Sequence, residues 1–120
     1  MLVADKTTHT PSVHHPTGYK HCIVFRNYFQ RYYPLLWLYK EHPYALWSFN
    51  NIGYDLAREE CVRSADVIIL HWINGGFLSV KGVERLLKLG KPVIWFMHDM
   101  WPLTGGCHHS FECTKYMTHC

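Results

Sequence analysis

No apolar run in this sequence approaches the roughly 20 residues that a membrane-spanning helix needs. The longest runs, around Leu35 to Tyr39 and Val67 to Leu70, have the size of core elements. A secretory signal is also missing, because MLVADKTT turns polar before any apolar centre can form. Neither a GxGxxG nor a GxxxxGKS/T motif occurs, so the familiar phosphate-binding loops are excluded as a basis for function. No internal repeat is visible, which excludes a solenoid. Charge of one sign is scarce: the formal balance is +3 with histidines neutral, and Lys and Arg are scattered rather than striped. Nucleic acid is therefore not implied as a partner.

What is present is the material of one small globular domain. The chain has 120 residues, 48% of them hydrophobic and 16% aromatic, enough for a real core. Ten histidines make its charge pH-sensitive and favour metal or acid–base chemistry. Five cysteines is an odd number. Without a secretory signal, a reduced cytoplasm is the expected setting, where clustered cysteines mean metal ligands or free thiols more often than disulfides. The opening Leu2-Val3-Ala4 resembles the end of a strand, and the last residue lies inside a Cys-rich loop. Both ends read as cut from a longer protein.

Taken in order, Asp5 to Tyr19 is a polar loop with three histidines. His21 to Tyr33 carries apolar residues at helical spacing (Cys22, Phe25, Phe29, then Tyr32 or Tyr33). Pro34 ends that helix or begins a short second one over Leu35 to Tyr39. Aromatics crowd Tyr28 to Phe49. They suit packing on a sheet, or an interfacial face touching a membrane or a lipid-linked substrate. Asn50 to Gly53 is a turn, and Asp55 to Ser64 a short helix capped by Asp55. Val67 to Leu70 is a strand whose unbroken apolar run predicts burial on both faces. After the Asn74-Gly75-Gly76 turn, Phe77 to Leu89 is a helix with Ser79 as N-cap. Val83, Leu86, Leu87 and Val80 form its apolar side, and Gly90 forms a left-handed C-terminal cap. Val93 to Met97 is a second apolar strand. Cys22 and Cys61 read as small core residues. Strand, helix and strand within about thirty residues make a βαβ unit with parallel strands. The expected fold class is α/β, an incomplete Rossmann-like parallel sheet with flanking helices.

Parallel strands present their C-terminal ends on one edge, and open α/β sheets bind ligands just beyond it. His71 and Trp72 follow the first strand; His98 and Asp99 follow the second. Neighbouring strands lie about 4.8 Å apart, so both histidines overlook one crevice. His98 with Asp99 suits acid–base or hydrogen-bonding work, since imidazole titrates near neutral pH. The other reading has Asp99 capping the next turn while His98 fills a gap. Thr104-Gly105-Gly106 offers close backbone approach and exposed N–H groups for an anion or a carbonyl oxygen. Cys107, Cys113 and Cys120 are spaced C-x5-C-x6-C with His108 beside them, a candidate structural zinc site. Free thiols or one disulfide in a loop fit the same spacing.

Two stretches, ADVIILHWINGGFLS (Ala65 to Ser79) and GKPVIWFMHDMWPLTGGCHHSFEC (Gly90 to Cys113), resemble the N-terminal domain of bacterial family-four glycosyltransferases. The subgroup is the colanic-acid and exopolysaccharide one. The resemblance covers about half of the chain strongly; Leu2 to Phe49 fits loosely. It implies a GT-B protein whose N-terminal, acceptor-side Rossmann-like domain is partly represented by residues 1–120. The implied activity is retaining transfer of a sugar from a nucleotide-sugar donor to a saccharide or lipid-linked acceptor, with no cofactor required for catalysis. The family's strand-end histidine falls on His98, where it positions the sugar and stabilises charge. The family's first Gly-rich strand–loop is absent before Met1, and no two glutamates here have the E-x7-E spacing of its second domain. The chain alone is therefore expected to be inactive. The expected location is cytoplasmic, and the aromatic stretch also admits a peripheral contact at the inner face of the membrane. Two competing functions are a small zinc-binding or interaction module on Cys107, Cys113 and Cys120, and a metal-dependent hydrolase using His71, His98 and Asp99.

Overall fold

A computed structural model describes residues 1–4, 7–18 and 47–120. The helices expected over His21–Tyr33 and Leu35–Tyr39, with Cys22 and the aromatic stretch as far as Leu46, lie outside the described residues.

The centre of the fold is a parallel pair of strands. Strand β1 (Ile68–Leu70) pairs with β2 (Val93–Trp95) in the register Ile68 to Val93, Ile69 to Ile94 and Leu70 to Trp95. The Ile68 N–H donates to the Pro92 carbonyl at 2.9 Å and the Phe96 N–H to the Leu70 carbonyl at 2.8 Å, closing the ladder at both ends. Two helical segments among the described residues are α-helical: α1 (Glu60–Arg63) before β1, and α2 (Val80–Leu87) between the strands. The chain is thus of mixed α/β class, with the expected strand–helix–strand order.

Sequence explains the bounds of α2. The Ser79 hydroxyl accepts the Gly82 N–H at 3.0 Å, satisfying one of the free donors of the first turn. Gly90, at φ +70°, takes the left-handed conformation just past the far end. Phe77 and Leu78 precede the cap instead of opening the helix. The buried face also differs from the expected one. Leu86 is buried, but Val80 and Leu87 are exposed, and Gly82 is buried in their place. A Cβ on Gly82 would fall 2.5 Å from Leu78 Cδ1, so the glycine is the slot into which Leu78 packs.

Leu78 and Leu86 join Tyr54, Leu56, Ile68, Leu70, Ile73 and Trp101 in one core cluster. The expectation that β1 is buried on both faces needs correction. Ile68 and Leu70 are buried, whereas Ile69 is 53% and Ile94 50% exposed. Strand side chains alternate sides, and only the Ile68/Leu70 side meets the core cluster.

The Asp55–Ser64 helix is broken. Leu56–Arg58 forms a 3-10 turn, Glu59 is extended (φ −70°, ψ 130°), and α1 follows. Asp55 makes no side-chain cap; its carboxylate pairs with Arg58 at 3.0 Å and Arg85 at 3.1 Å. Glu59 turns to residues 42 positions earlier, accepting the Thr17 N–H at 2.8 Å and the Thr17 hydroxyl at 3.1 Å. Cys61, read as a core residue, is exposed on α1, which buries none of its residues. At the N-terminus, Leu2 bridges His14 in parallel fashion. Among the described residues no helix is long and apolar enough to cross a membrane.

The Asn50–Gly53 turn holds the chain against α2. Asn50 sits at φ +46° and is fully buried. Its carbonyl accepts the Val80 N–H at 3.0 Å, and its amide nitrogen donates to the Leu78 carbonyl at 3.1 Å. This anchor places Ser48, two residues earlier, against the loop that follows β2.

Candidate functional site

The parallel pairing brings His71 and His98 to the same sheet edge, one just beyond each strand. His71 Nδ1 and His98 Nε2 lie 2.9 Å apart, a hydrogen bond between two exposed rings. One ring must donate and the other accept, so the pair is neutral or shares a single extra proton. His71 also stacks on Phe96, with centroids 5.2 Å apart and planes within 11°. The Phe96 contact depends on the register: Leu70 opposite Trp95 places residue 71 beside residue 96.

Asp99 does not face His98. One carboxylate oxygen, Oδ2, accepts from His108 Nδ1 at 2.5 Å and from the Trp72 indole N–H at 3.0 Å. The other, Oδ1, accepts the Trp101 N–H at 2.9 Å and so caps the 3-10 turn Trp101–Leu103. Burial pushes the Asp99 carboxyl up. The hydrogen bonds and charge of His108, with the bonds from Trp101 and Trp72, outweigh that and hold it below the ordinary carboxylate value. Asp99 is therefore a fixed anion that ties the end of β1 (through Trp72) to the loop after β2.

His108, read as a zinc ligand beside the cysteines, is fully buried and engaged through both ring nitrogens. Nδ1 meets Asp99, and Nε2 lies 2.8 Å from the Ser48 hydroxyl. Bonds to the backbone fix both ends: the Ser48 N–H donates to the Gly106 carbonyl at 3.0 Å, the Met100 N–H to the His108 carbonyl at 3.0 Å, and the Trp101 indole N–H to the Ser48 carbonyl at 2.7 Å. No signal in the sequence marks Ser48. It lies 60 residues from His108 and only folding brings them together.

The Thr104-Gly105-Gly106 loop differs from its expected ligand cradle. The Gly106 N–H is turned to Thr104 Oγ1 at 3.2 Å, and that hydroxyl donates to the Cys107 carbonyl at 2.7 Å. Gly106 adopts φ +144°, and a Cβ there would meet the Trp47 ring at 2.5 Å. Its lack of a side chain makes room for an indole, not for an anion. A Cβ on Gly105 would touch the Cys120 carbonyl at 3.4 Å, so the tail folds back over this loop.

In that tail Cys107 is half-buried while Cys113 and Cys120 are exposed, all as free thiols. Burial pushes the Cys107 thiol up, and the neighbouring charges of Cys120 and Cys113 push it the same way. Among the described residues no three His, Cys, Asp or Glu side chains are grouped to hold a metal ion. His71 and His98 meet each other, but Asp99 bonds His108, Trp72 and Trp101 instead of joining them. A cavity of about 680 Å³ opens beside β1, lined in part by His71, Trp72, Asn74 and Phe77.

No family model matches the chain, and neither a curated protein nor a solved structure matches it.

Proposed function

We propose that this chain is part of the acceptor-side, Rossmann-like domain of a GT-B glycosyltransferase. Its parent enzyme moves a sugar from a nucleotide-sugar donor to a saccharide or lipid-linked acceptor, with retention, on the cytoplasmic side of a membrane that it touches peripherally. The observation that supports this best is the His71–His98 pair at the C-terminal edge of the parallel strands, where α/β sheets bind ligands. His98 is the group that meets the transferred sugar. His71 orients its ring, and Phe96 stacked on His71 limits the freedom of both. Two imidazoles sharing a hydrogen bond donate to a sugar hydroxyl or to a departing phosphate oxygen as charge develops. Asp99, next to His98 in the chain, anchors Trp72 beside His71 and caps the Trp101–Leu103 turn.

Under this reading the 120-residue chain on its own is expected to transfer no sugar. The test is therefore binding, followed on the histidine ring resonances during titration with nucleotide-sugars and with oligosaccharides. The rings of His71 and His98 should shift on saccharide addition, and His98→Ala should abolish saturable binding. Measurable donor-dependent transfer by the purified chain, or saccharide binding indifferent to His98→Ala, refutes the proposal.

A second reading, a zinc-braced tail, keeps only the geometric support that the tail folds back to bring Cys120 against Gly105 in the loop that carries Cys107. It requires stoichiometric zinc that is lost in Cys113→Ser, with no part for His108.

A further inference from the structure

Ser48, His108 and Asp99 form a hydrogen-bonded series whose order is that of a nucleophile, a general base and an orienting carboxylate. From this geometry we propose that Ser48 is an activated nucleophile, able to take an acyl or phosphoryl group from an electrophilic ester-class substrate.

Proton placement follows from chemistry. Asp99, as an ionised carboxylate, only accepts, so His108 Nδ1 carries a hydrogen toward it at 2.5 Å. In the neutral ring Nε2 is then the acceptor, and the Ser48 hydroxyl donates to it at 2.8 Å. That is the tautomer a base needs to remove the serine proton. Asp99 cannot swing away, because the Trp72 indole and the Trp101 amide hold its two oxygens. His108 is fully buried in the free chain, so its ring is held between Asp99 and Ser48 until a substrate enters. Ser48 keeps part of its surface exposed, and its backbone is pinned at both N–H and carbonyl.

The step balances as follows. Ser48 Oγ attacks the acyl carbon, the new O–C bond forms and the bond to the leaving alcohol breaks. The serine proton passes to His108 Nε2 and on to the departing oxygen. Water then attacks the acyl-serine; its proton passes to His108 and returns to Ser48 Oγ, releasing the acid.

The experiment exposes the folded 120-residue chain to diisopropyl fluorophosphate and, separately, to p-nitrophenyl acetate. Adducts are mapped by peptide mass spectrometry. The expected result is one phosphoryl adduct, on Ser48, absent in Ser48→Ala and slowed on the order of 100-fold when His108 is replaced by glutamine. Because His108→Gln can fail to fold, the wild-type chain in denaturing urea is the second arm: there Ser48 must lose its advantage over every other serine. No adduct on Ser48 in the folded chain, or labelling that is equal folded and unfolded, overturns the proposal. The sugar-binding test above rests on His71 and His98 and fails or succeeds independently.

Discussion

Replacing Asp99 by asparagine should cost this chain about 2–4 kcal/mol of stability at neutral pH. Three N–H groups converge on two carboxylate oxygens: His108 and Trp72 on one, the Trp101 amide on the other. Asparagine keeps one acceptor oxygen and substitutes an NH2 that accepts nothing. Turned one way, the NH2 opposes the Trp101 amide. Turned the other, it opposes His108 and Trp72. The Trp72 side is cheap, because that residue is 53% exposed and water replaces the lost partner. His108 is fully buried and has no such recourse. A bond to a charged group contributes about 1.5–3 kcal/mol, and a buried donor left unpaired costs about 1–3 kcal/mol. The sum is limited because His108 can change tautomer and accept from the new amide. Urea unfolding followed by tryptophan fluorescence measures the difference at constant m-value.

Acid supplies a second arm. The Asp99 carboxyl is held below its ordinary value in the folded chain, so its contribution is fully present above the unfolded value of about 3.9. It is lost as pH falls through the depressed folded value. The gap between wild type and Asp99→Asn should therefore narrow below about pH 4. A neutral-pH cost under about 0.5 kcal/mol, the range of an ordinary surface change, together with a gap that ignores pH, would refute the placement of Asp99 as the hub of this loop.

Gly53→Ala should be severe. The added Cβ would lie 2.2 Å from the Ser79 nitrogen and 2.6 Å from the Leu78 carbonyl carbon. Both are backbone atoms that cannot rotate aside, so a loss of about 3 kcal/mol is expected in the same urea assay. Leu86→Ala should cost about 2–5 kcal/mol, whereas the same change at Val80, 57% exposed on the same helix, should stay within about 0.5 kcal/mol. Iodoacetamide with peptide mapping should modify exposed Cys61, Cys113 and Cys120 before Cys107. The Cys107 thiol is half-buried and held above its ordinary value, which keeps it protonated and unreactive.

Much of the scaffold was legible in the residues themselves. Val67 to Leu70 and Val93 to Met97 announce strands by their apolar runs, Ser79 and Gly90 bracket the helix between them, and parallel pairing follows from that order. From those three elements alone His71 and His98 fall on one edge, and the structure brings their nitrogens to 2.9 Å. Such inferences succeed because caps, turns and strand order are governed by near neighbours and by chain connectivity.

Only tertiary structure decided the rest. Asp99 adjoins His98 in sequence, yet successive residues diverge, and its partners come from the ends of both strands and from His108 nine residues on. His108 looked like a metal ligand among cysteines, but the loop buries it against Ser48 instead. Gly106 looked like an anion cradle and proved to be space for Trp47. The exposed second face of β1 is equally invisible in its unbroken apolar run. In each case the deciding contact spans a distance along the chain over which local propensity carries no information. The buried polar groups took whichever partner the packed backbone brought within hydrogen-bonding reach.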